Sequence, residues 1–216
     1  MVIERRFLTL NPYSRPGIIL SRHEKIAIHY VGNPGSSALA NRNYFESLKN
    51  SRKTYASSHY IIGLAGEIIQ CVPEDEIAYC TNQANDYSIS IECCHPDNTG
   101  IFTQATRKSL IALCADLCER YGLDPINDII RHYDVTGKAC PRAWVEDEQD
   151  YNKFKREVLA KMEKRYQTVN ELPVWARDAI QELIGTKAIA DGSALDMSDD
   201  MLRTLVIVKR YIDWKM

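Results

Sequence analysis

Five histidines and seven cysteines in a chain of 216 residues are the side chains able to bind a borderline or soft metal ion or to act covalently, and their placement separates them. In the segment His132-Tyr-Asp-Val-Thr-Gly-Lys-Ala-Cys140-Pro141 an imidazole, a lysine and a thiol fall within nine residues at the end of an apolar run. A loop holding Gly137 and the rigid Pro141 can fold both donors onto one ion. His29 interrupts another apolar run, so it is either a satisfied core histidine or a ligand aimed into a pocket. Two imidazoles and one thiolate fill three corners of the tetrahedron that Zn2+ prefers and leave the fourth to water, which is the catalytic arrangement. A structural zinc site takes four protein ligands, usually with a close CxxC pair, and no such pair occurs here. Hydrolysis is the chemistry that follows.

The elements that must position these groups can be read from apolar periodicity. Residues 25–31 are short, apolar and rich in β-branched side chains, which predicts a buried strand, and the Gly-Asn-Pro-Gly of residues 32–35 ends it in a loop. A helix is predicted over 37–49 with Leu39, Tyr44, Phe45 and Leu48 inward, followed by a hairpin from 59–63 and 67–72 that turns near Ala65 and Gly66. Residues 88–94 alternate small polar with apolar side chains, another strand, stopped by Pro96. From 103 to 121, Leu110, Leu113, Cys114, Leu117 and Tyr121 keep helical spacing, and Gly122 supplies a stop. Residues 129–132 enter a loop, and 147–165 form a charged helix with Tyr151, Phe154, Val158 and Met162 inward. Strands interleaved with helices predict an α/β domain over residues 1–165, with a central mixed sheet flanked by helices.

Residues 167–173 read as a linker. A helix carrying Trp175, Ala179, Ile180, Leu183 and Ile184 breaks at Gly185, Asp191-Gly192-Ser193 makes a turn, and a last helix starts near Ser198. Asp199 and Asp200 suit its first turn, Met197 and Leu202 can form a staple, and Leu205, Val206 and Ile212 mark its apolar side. This helical piece, residues 166–216, is marginal by itself, so it is expected to pack on itself, on the main domain or on a second copy as a homodimer.

Composition narrows the partners. Lysine and arginine total 27 against 29 acidic residues, a net charge of −2, so no global positive field draws the chain to nucleic acid or anionic lipid. No apolar run reaches the ~18 residues of a bilayer helix, which argues against membrane insertion. The opening Met1-Val-Ile-Glu-Arg-Arg-Phe7 lacks the apolar stretch of a secretory signal. An odd cysteine count then favours reduced thiols, with adjacent Cys93 and Cys94 on opposite strand faces and Cys114 and Cys118 as small core residues. His23 and His95, beside charged or turn residues, are expected to face solvent.

Several separated blocks, in order, resemble one family over residues 11 to about 160. They are Asn11-Pro-Tyr-Ser-Arg-Pro-Gly17, Ile28-His29-Tyr30 with Asn33-Pro-Gly35, Ser58-His-Tyr-Ile-Ile-Gly63, Tyr87-Ser-Ile-Ser-Ile-Glu92, and His132-Tyr-Asp134 with Lys138-Ala-Cys140-Pro141. The chain is similar to the zinc-dependent N-acetylmuramoyl-L-alanine amidases of the type 2 class, which share their fold with phage amidase lysozymes and peptidoglycan recognition proteins. The resemblance implies that His29, His132 and Cys140 bind Zn2+ and that the substrate is bacterial peptidoglycan, cut at the amide between N-acetylmuramic acid and L-alanine. Glu92, charged at a strand position that otherwise reads as apolar, is the expected general acid/base, and Lys138 the cation beside the oxyanion.

His59 matches a family histidine near the substrate groove. Tyr60 stands two residues after Ser58, the position where some members carry a tyrosine, and Tyr79-Cys80 replaces a Trp-His pair. His59, Tyr60 and Tyr79 are therefore expected at the groove. Two rivals stand beside the amidase reading: a peptidoglycan-binding module without catalysis, which typically lacks the thiol, and a cytoplasmic amidase that recycles soluble muropeptides. An endolysin-like enzyme, made in the cytoplasm and released onto the wall, best suits a chain read as having no signal and a helical tail.

Overall fold

The computed structural model describes residues 1–189 and 195–215, so the turn expected at residues 191–193 lies outside the described residues. The chain divides into two compact units, Met1–Met162 and Glu163–Met216.

In the first unit β1 (Ile3–Arg5), β2 (Lys25–Tyr30), β3 (Tyr60–Ile62), β4 (Ile68–Gln70), β5 (Ser88–Cys93) and β6 (Ile129–Arg131) form one sheet in the order β1-β4-β3-β5-β2-β6. Only the β3–β4 hairpin is antiparallel, so the sheet is mixed. Six α-helices and a short 3-10 turn at Asn82–Ala84 complete this unit: α1 (Ala38–Ser51), α2 (Gln104–Tyr121), α3 (Pro125–Asp128), α4 (His132–Thr136), α5 (Arg142–Glu146) and α6 (Glu148–Met162). Strand alternation sorts the side chains into two layers. Ile26, Ile28, Tyr60, Ile62, Ile89, Ile91 and Cys93 pack with Leu110, Leu113, Cys114 and Leu117 of α2 and with Tyr151, Phe154 and Val158 of α6. On the other face Val31, Ile61, Ile69, Cys71 and Cys94 pack with Ala38, Phe45 and Leu48 of α1.

Helix ends follow the local chemistry. Ser37 caps α1 through a 3.2 Å bond from Ala40 N, and Thr103 caps α2 through a 3.0 Å bond from Thr106 N. Gly122 ends α2 at φ +67°, in the left-handed region that favours glycine. The inward stripe of α1 is Ala38, Asn41, Phe45 and Leu48, and the predicted Leu39 and Tyr44 are 40% and 52% exposed. A helix with one sheet-facing side has room for a stripe at 3- and 4-residue steps, and Leu39 and Tyr44 fall beside it. His95, expected at the surface, is buried between the carbonyl oxygens of Val31 and Asp97. The edge strand β1 escaped detection because Ile3 is its one apolar side chain.

The second unit contains β7 (Arg165–Tyr166), α7 (Val174–Gly185), β8 (Met197–Ser198) and α8 (Asp199–Lys215), with β7 and β8 antiparallel. Tyr166, Leu172, Ala176, Ile180, Met197, Leu202 and Val206 form its core. Residues 167–173, expected as a linker, are part of this unit, since Leu172 is buried in its core; the preceding Tyr166 is buried there too, its hydroxyl donating to Asp199 at 2.8 Å. The helix predicted to run to residue 165 accordingly stops at Met162. Ile212, expected on the apolar side of α8, is 49% exposed. Among the described residues no helix is long and apolar enough to cross a membrane.

Glu74 ties the strand layer to α2. It accepts hydrogen bonds from Arg120 at 2.6 and 2.8 Å and from the Tyr60 and Tyr121 hydroxyls. Burial pushes its pKa up, but the bonds from Arg120, Tyr121 and Tyr60 outweigh it and hold the carboxyl at about 2, below the ordinary 4.5. A pKa lowered by folding stabilises the fold above the unfolded value and loses that contribution as pH falls through the folded one. Discounted for the partly exposed Arg120, this is on the order of 2 kcal/mol, lost between pH ~4.5 and ~2. Urea midpoints measured across that window should fall more steeply for the native chain than for Glu74→Gln.

Candidate active site

β2 and β5 run parallel with His29 opposite Glu92. Alternation turns both toward the α1 side of the sheet, together with Ser88 and Ser90, so one face of β5 is apolar and the other polar. This explains why a strand that reads as half small-polar is buried along nearly its whole length.

His132 and Cys140 arrive from the next strand over. β6 pairs with β2, and the chain turns directly into α4, whose first residue is His132. Asp134 accepts from Arg131 N at 2.8 Å at the helix start, and Gly137 ends α4 at φ +75°. The backbone N–H of Tyr133 then donates to the Cys140 carbonyl at 3.0 Å, closing the loop and bringing the thiol back to the imidazole. The Arg131 guanidinium donates to the Trp144 carbonyl at 2.9 Å and fixes α5 to the same point.

His29 Nδ1 lies 3.1 Å from His132 Nδ1 and 3.8 Å from Cys140 Sγ, and all three residues are buried. With ordinary Zn–N and Zn–S bond lengths, the edges of a tetrahedron measure roughly 3.3 Å between two nitrogens and roughly 3.6 Å from nitrogen to sulfur. The donor spacings therefore fit one ion. The other ring nitrogen of His29, Nε2, is 2.8 Å from Thr81 Oγ1, which in turn meets Ser90 Oγ at 3.1 Å. A hydrogen on Nε2 bonded to Thr81 leaves Nδ1 with its lone pair free. Burial lowers the pKa of His29 far below its usual value, with the neighbouring His132 and Lys138 adding to the effect; burial and Lys138 lower that of His132. Both imidazoles are thus neutral donors. Burial pushes the Cys140 thiol up to about 12, so an ion settling there must displace its proton.

These residues line a cleft of about 320 Å³ that also presents Glu92, Lys138, Tyr79, Cys80 and Asn82. Burial raises the Glu92 carboxyl to about 7, against the opposing pull of Lys138 and of the Cys80 thiol. One carboxylate oxygen, Oε1, lies 3.7 Å from Cys80 Sγ, and Oε2 is buried without a hydrogen-bond partner. A carboxyl poised near neutrality beside a free cation and a donor triangle can take up and return a proton.

Of the expected groove residues, Tyr79 lines the cleft, while His59 and Tyr60 do not. His59 is fully buried, with Nδ1 accepting from Ser90 N at 2.9 Å and Nε2 at 2.9 Å from the Glu76 carbonyl oxygen, so both ring nitrogens are engaged in holding strands together. Tyr60 belongs to the opposite face of the sheet, in the layer of α2 and α6, with its hydroxyl on Glu74. Thr81 and Ser90 went unnoticed in the sequence, and Cys80 was read there only as half of the Tyr79-Cys80 pair. The signal for Ser90 was its parity with Glu92 on one strand, whereas Thr81 reaches His29 from a loop and gave none.

A triangle of neutral nitrogen and sulfur donors beside a carboxyl in the same cleft could hold one metal ion and exchange a proton. Comparison with known proteins places the chain in a family. A model of the N-acetylmuramoyl-L-alanine amidase family matches residues 20–143. The chain is 35% identical to the N-acetylmuramoyl-L-alanine amidase BlyA of Bacillus subtilis (strain 168) over 181 residues, covering 74% of this chain and 48% of the relative. It is 38% identical to the N-acetylmuramoyl-L-alanine amidase CwlL of Bacillus licheniformis over 169 residues, covering 72% and 46%. It spans about half the length of these curated relatives. A solved mutant endolysin from Bacillus subtilis shares the fold, with a TM-score of 0.62 at 22% identity, covering 73% of this chain and 99% of that one. The chain belongs to the N-acetylmuramoyl-L-alanine amidase family.

Thr81 gives a direct test of the donor geometry. Thr81→Val keeps the shape but removes the oxygen that orients His29, and such partners typically carry about 10- to 100-fold in metal affinity. Competition with a chromophoric chelator should show Zn2+ binding weakened by that factor, with native circular dichroism and a thermal transition lowered by the few degrees that an orphaned buried N–H costs.

Proposed function

We propose that this chain hydrolyses the amide joining the lactyl group of N-acetylmuramic acid to L-alanine in bacterial peptidoglycan, with Zn2+ held by His29, His132 and Cys140. The observation that carries this reading is the donor triangle, at tetrahedral spacing, next to a carboxyl held near neutrality. The substrate class comes from the names of the relatives. Zinc in such a site brings the pKa of water down to about 7 and polarises a carbonyl.

The protein's own residues divide the remaining work. Glu92 takes the proton of the attacking water and returns it to the alanine nitrogen as the C–N bond breaks, leaving a lactyl carboxylate and a free amine. Lys138, solvent-exposed at the cleft rim, sets a positive charge near the carbonyl oxygen as negative charge develops on it. Thr81 and Ser90 hold the His29 ring in one tautomer, and Tyr79 borders the groove where sugar or peptide lies.

The second unit carries its own core, and Ile207, Tyr211 and Trp214 of α8 are exposed, which supports an attachment role toward the wall or a second copy. Access to the wall after release from the cytoplasm, as in endolysins, completes the reading. A chain cut after Met162 should lose retention on sacculi or pass from dimer to monomer by light scattering, and an unchanged retention with an unchanged number of copies would remove the attachment role.

Incubation with intact sacculi should release free amino groups, and a chelator should stop it. Activity on soluble muropeptides alone would favour a recycling enzyme, and binding without release a recognition module. Glu92→Gln should lower turnover by about 10²- to 10⁴-fold. Its zinc content, measured by atomic emission, should stay at the native level.

A further inference from the structure

Among the described residues a second group of three donors stands beside the first: His29, Cys80 and Glu92, with one ligand atom of each within 4.8 Å of the others. The two groups share His29. Cys80 Sγ and Glu92 Oε1 are 3.7 Å apart, close to the roughly 3.5 Å that separates sulfur from oxygen on one tetrahedral ion. One further observation points to a cation. Glu92 Oε2 is buried with no hydrogen-bond partner, and a buried carboxylate oxygen without a donor is stabilised by positive charge. The loop carrying Cys80 is also held in place before any ligand arrives. Asn85 Oδ1 accepts from Cys80 N at 3.0 Å and from Thr81 N at 2.6 Å, and Tyr79 N donates to Ser57 Oγ at 2.9 Å.

We propose that His29, Cys80 and Glu92 form a second seat for a soft divalent cation, overlapping the first at His29, and that an ion there withdraws Glu92 from proton transfer. The inhibitory consequence rests on the amidase reading; the seat itself does not. One thiolate, one imidazole and one carboxylate suit Zn2+ or Cd2+ and disfavour Mg2+ or Ca2+, which prefer all-oxygen shells. Binding moves the Cys80 proton to solvent and replaces the S–H···O contact with two bonds to the ion. Because Nε2 of His29 is engaged with Thr81, His29 offers Nδ1 alone and can serve one seat at a time. The two seats therefore compete for the same nitrogen, and one bound ion divides between an active and an inactive arrangement in a ratio set by the affinities of the two seats.

The chain carrying both His132→Ala and Cys140→Ala lacks the other two donors of the first seat, so its result reads the second seat alone, whatever becomes of the amidase reading. With native circular dichroism, it should bind one Cd2+ per chain with the ultraviolet charge-transfer band of a cadmium thiolate, and adding Cys80→Ser should abolish the band. No band in the double variant, or a band that survives Cys80→Ser, would overturn the proposal. A second arm reads Glu92. Adding Glu92→Gln to the double variant should weaken Cd2+ binding by about tenfold or more, the effect of losing one good ligand. An unchanged affinity would equally refute the proposal.

Discussion

The parallel pairing of β2 with β5 is the constraint on which the cleft depends. It sets His29 directly against Glu92, on the face of the sheet away from the α2 and α6 layer. A carboxyl and an imidazole buried side by side must each find a partner, because an unpaired polar group in the interior costs about 1–3 kcal/mol. Thr81 supplies the partner for one His29 nitrogen, and His132 and Cys140 surround the other. Only Glu92 Oε2 remains unanswered, which is the chemical asymmetry expected of a group that acts rather than supports.

The geometry around this pair is built from backbone, and it is therefore stiff. The turn from β6 into α4, the αL conformation at Gly137 and the Tyr133–Cys140 backbone bond fix the positions of two donors, with the Arg131 guanidinium bracing the same loop. On the other side Asn85 braces two successive amides of the loop that carries Cys80 and Thr81. Preorganisation of this kind keeps a donor set at its spacing whether or not it is filled.

How much of this was legible in the sequence depended on whether the information was local. His132, Lys138 and Cys140 lie within one short loop, and their spacing announced them; His29 and Glu92 stood out as polar residues in apolar runs. The central strands and helices α2 and α6 followed from periodicity, because the apolar stripes of the helices face one layer, whereas the mixed pairing of the sheet went with the family resemblance. Tyr60 was misplaced because alternation says which residues share a face but not which face borders the cleft. His59 has the parity of Ile61, yet it is sealed by the Ser90 amide and the Glu76 carbonyl, contacts made by strands distant in sequence. Thr81 and Cys80 sit in a loop with no period to read. The segment read as a linker was misjudged for a different reason: the polar residues of 167–173 concealed Leu172, whose burial appears only when the second unit closes its core.

The same strands serve the interior and the cleft through alternate positions. On β5, Ile89, Ile91 and Cys93 belong to the dry layer, and Ser88, Ser90 and Glu92 to the polar one. A substitution at a dry position is felt by helices α2 and α6, and one at a polar position by the loop above the sheet. Reactivity and foldedness are therefore written in separate registers of one short segment, which leaves room for descendants of this chain to diversify their chemistry while inheriting the scaffold intact.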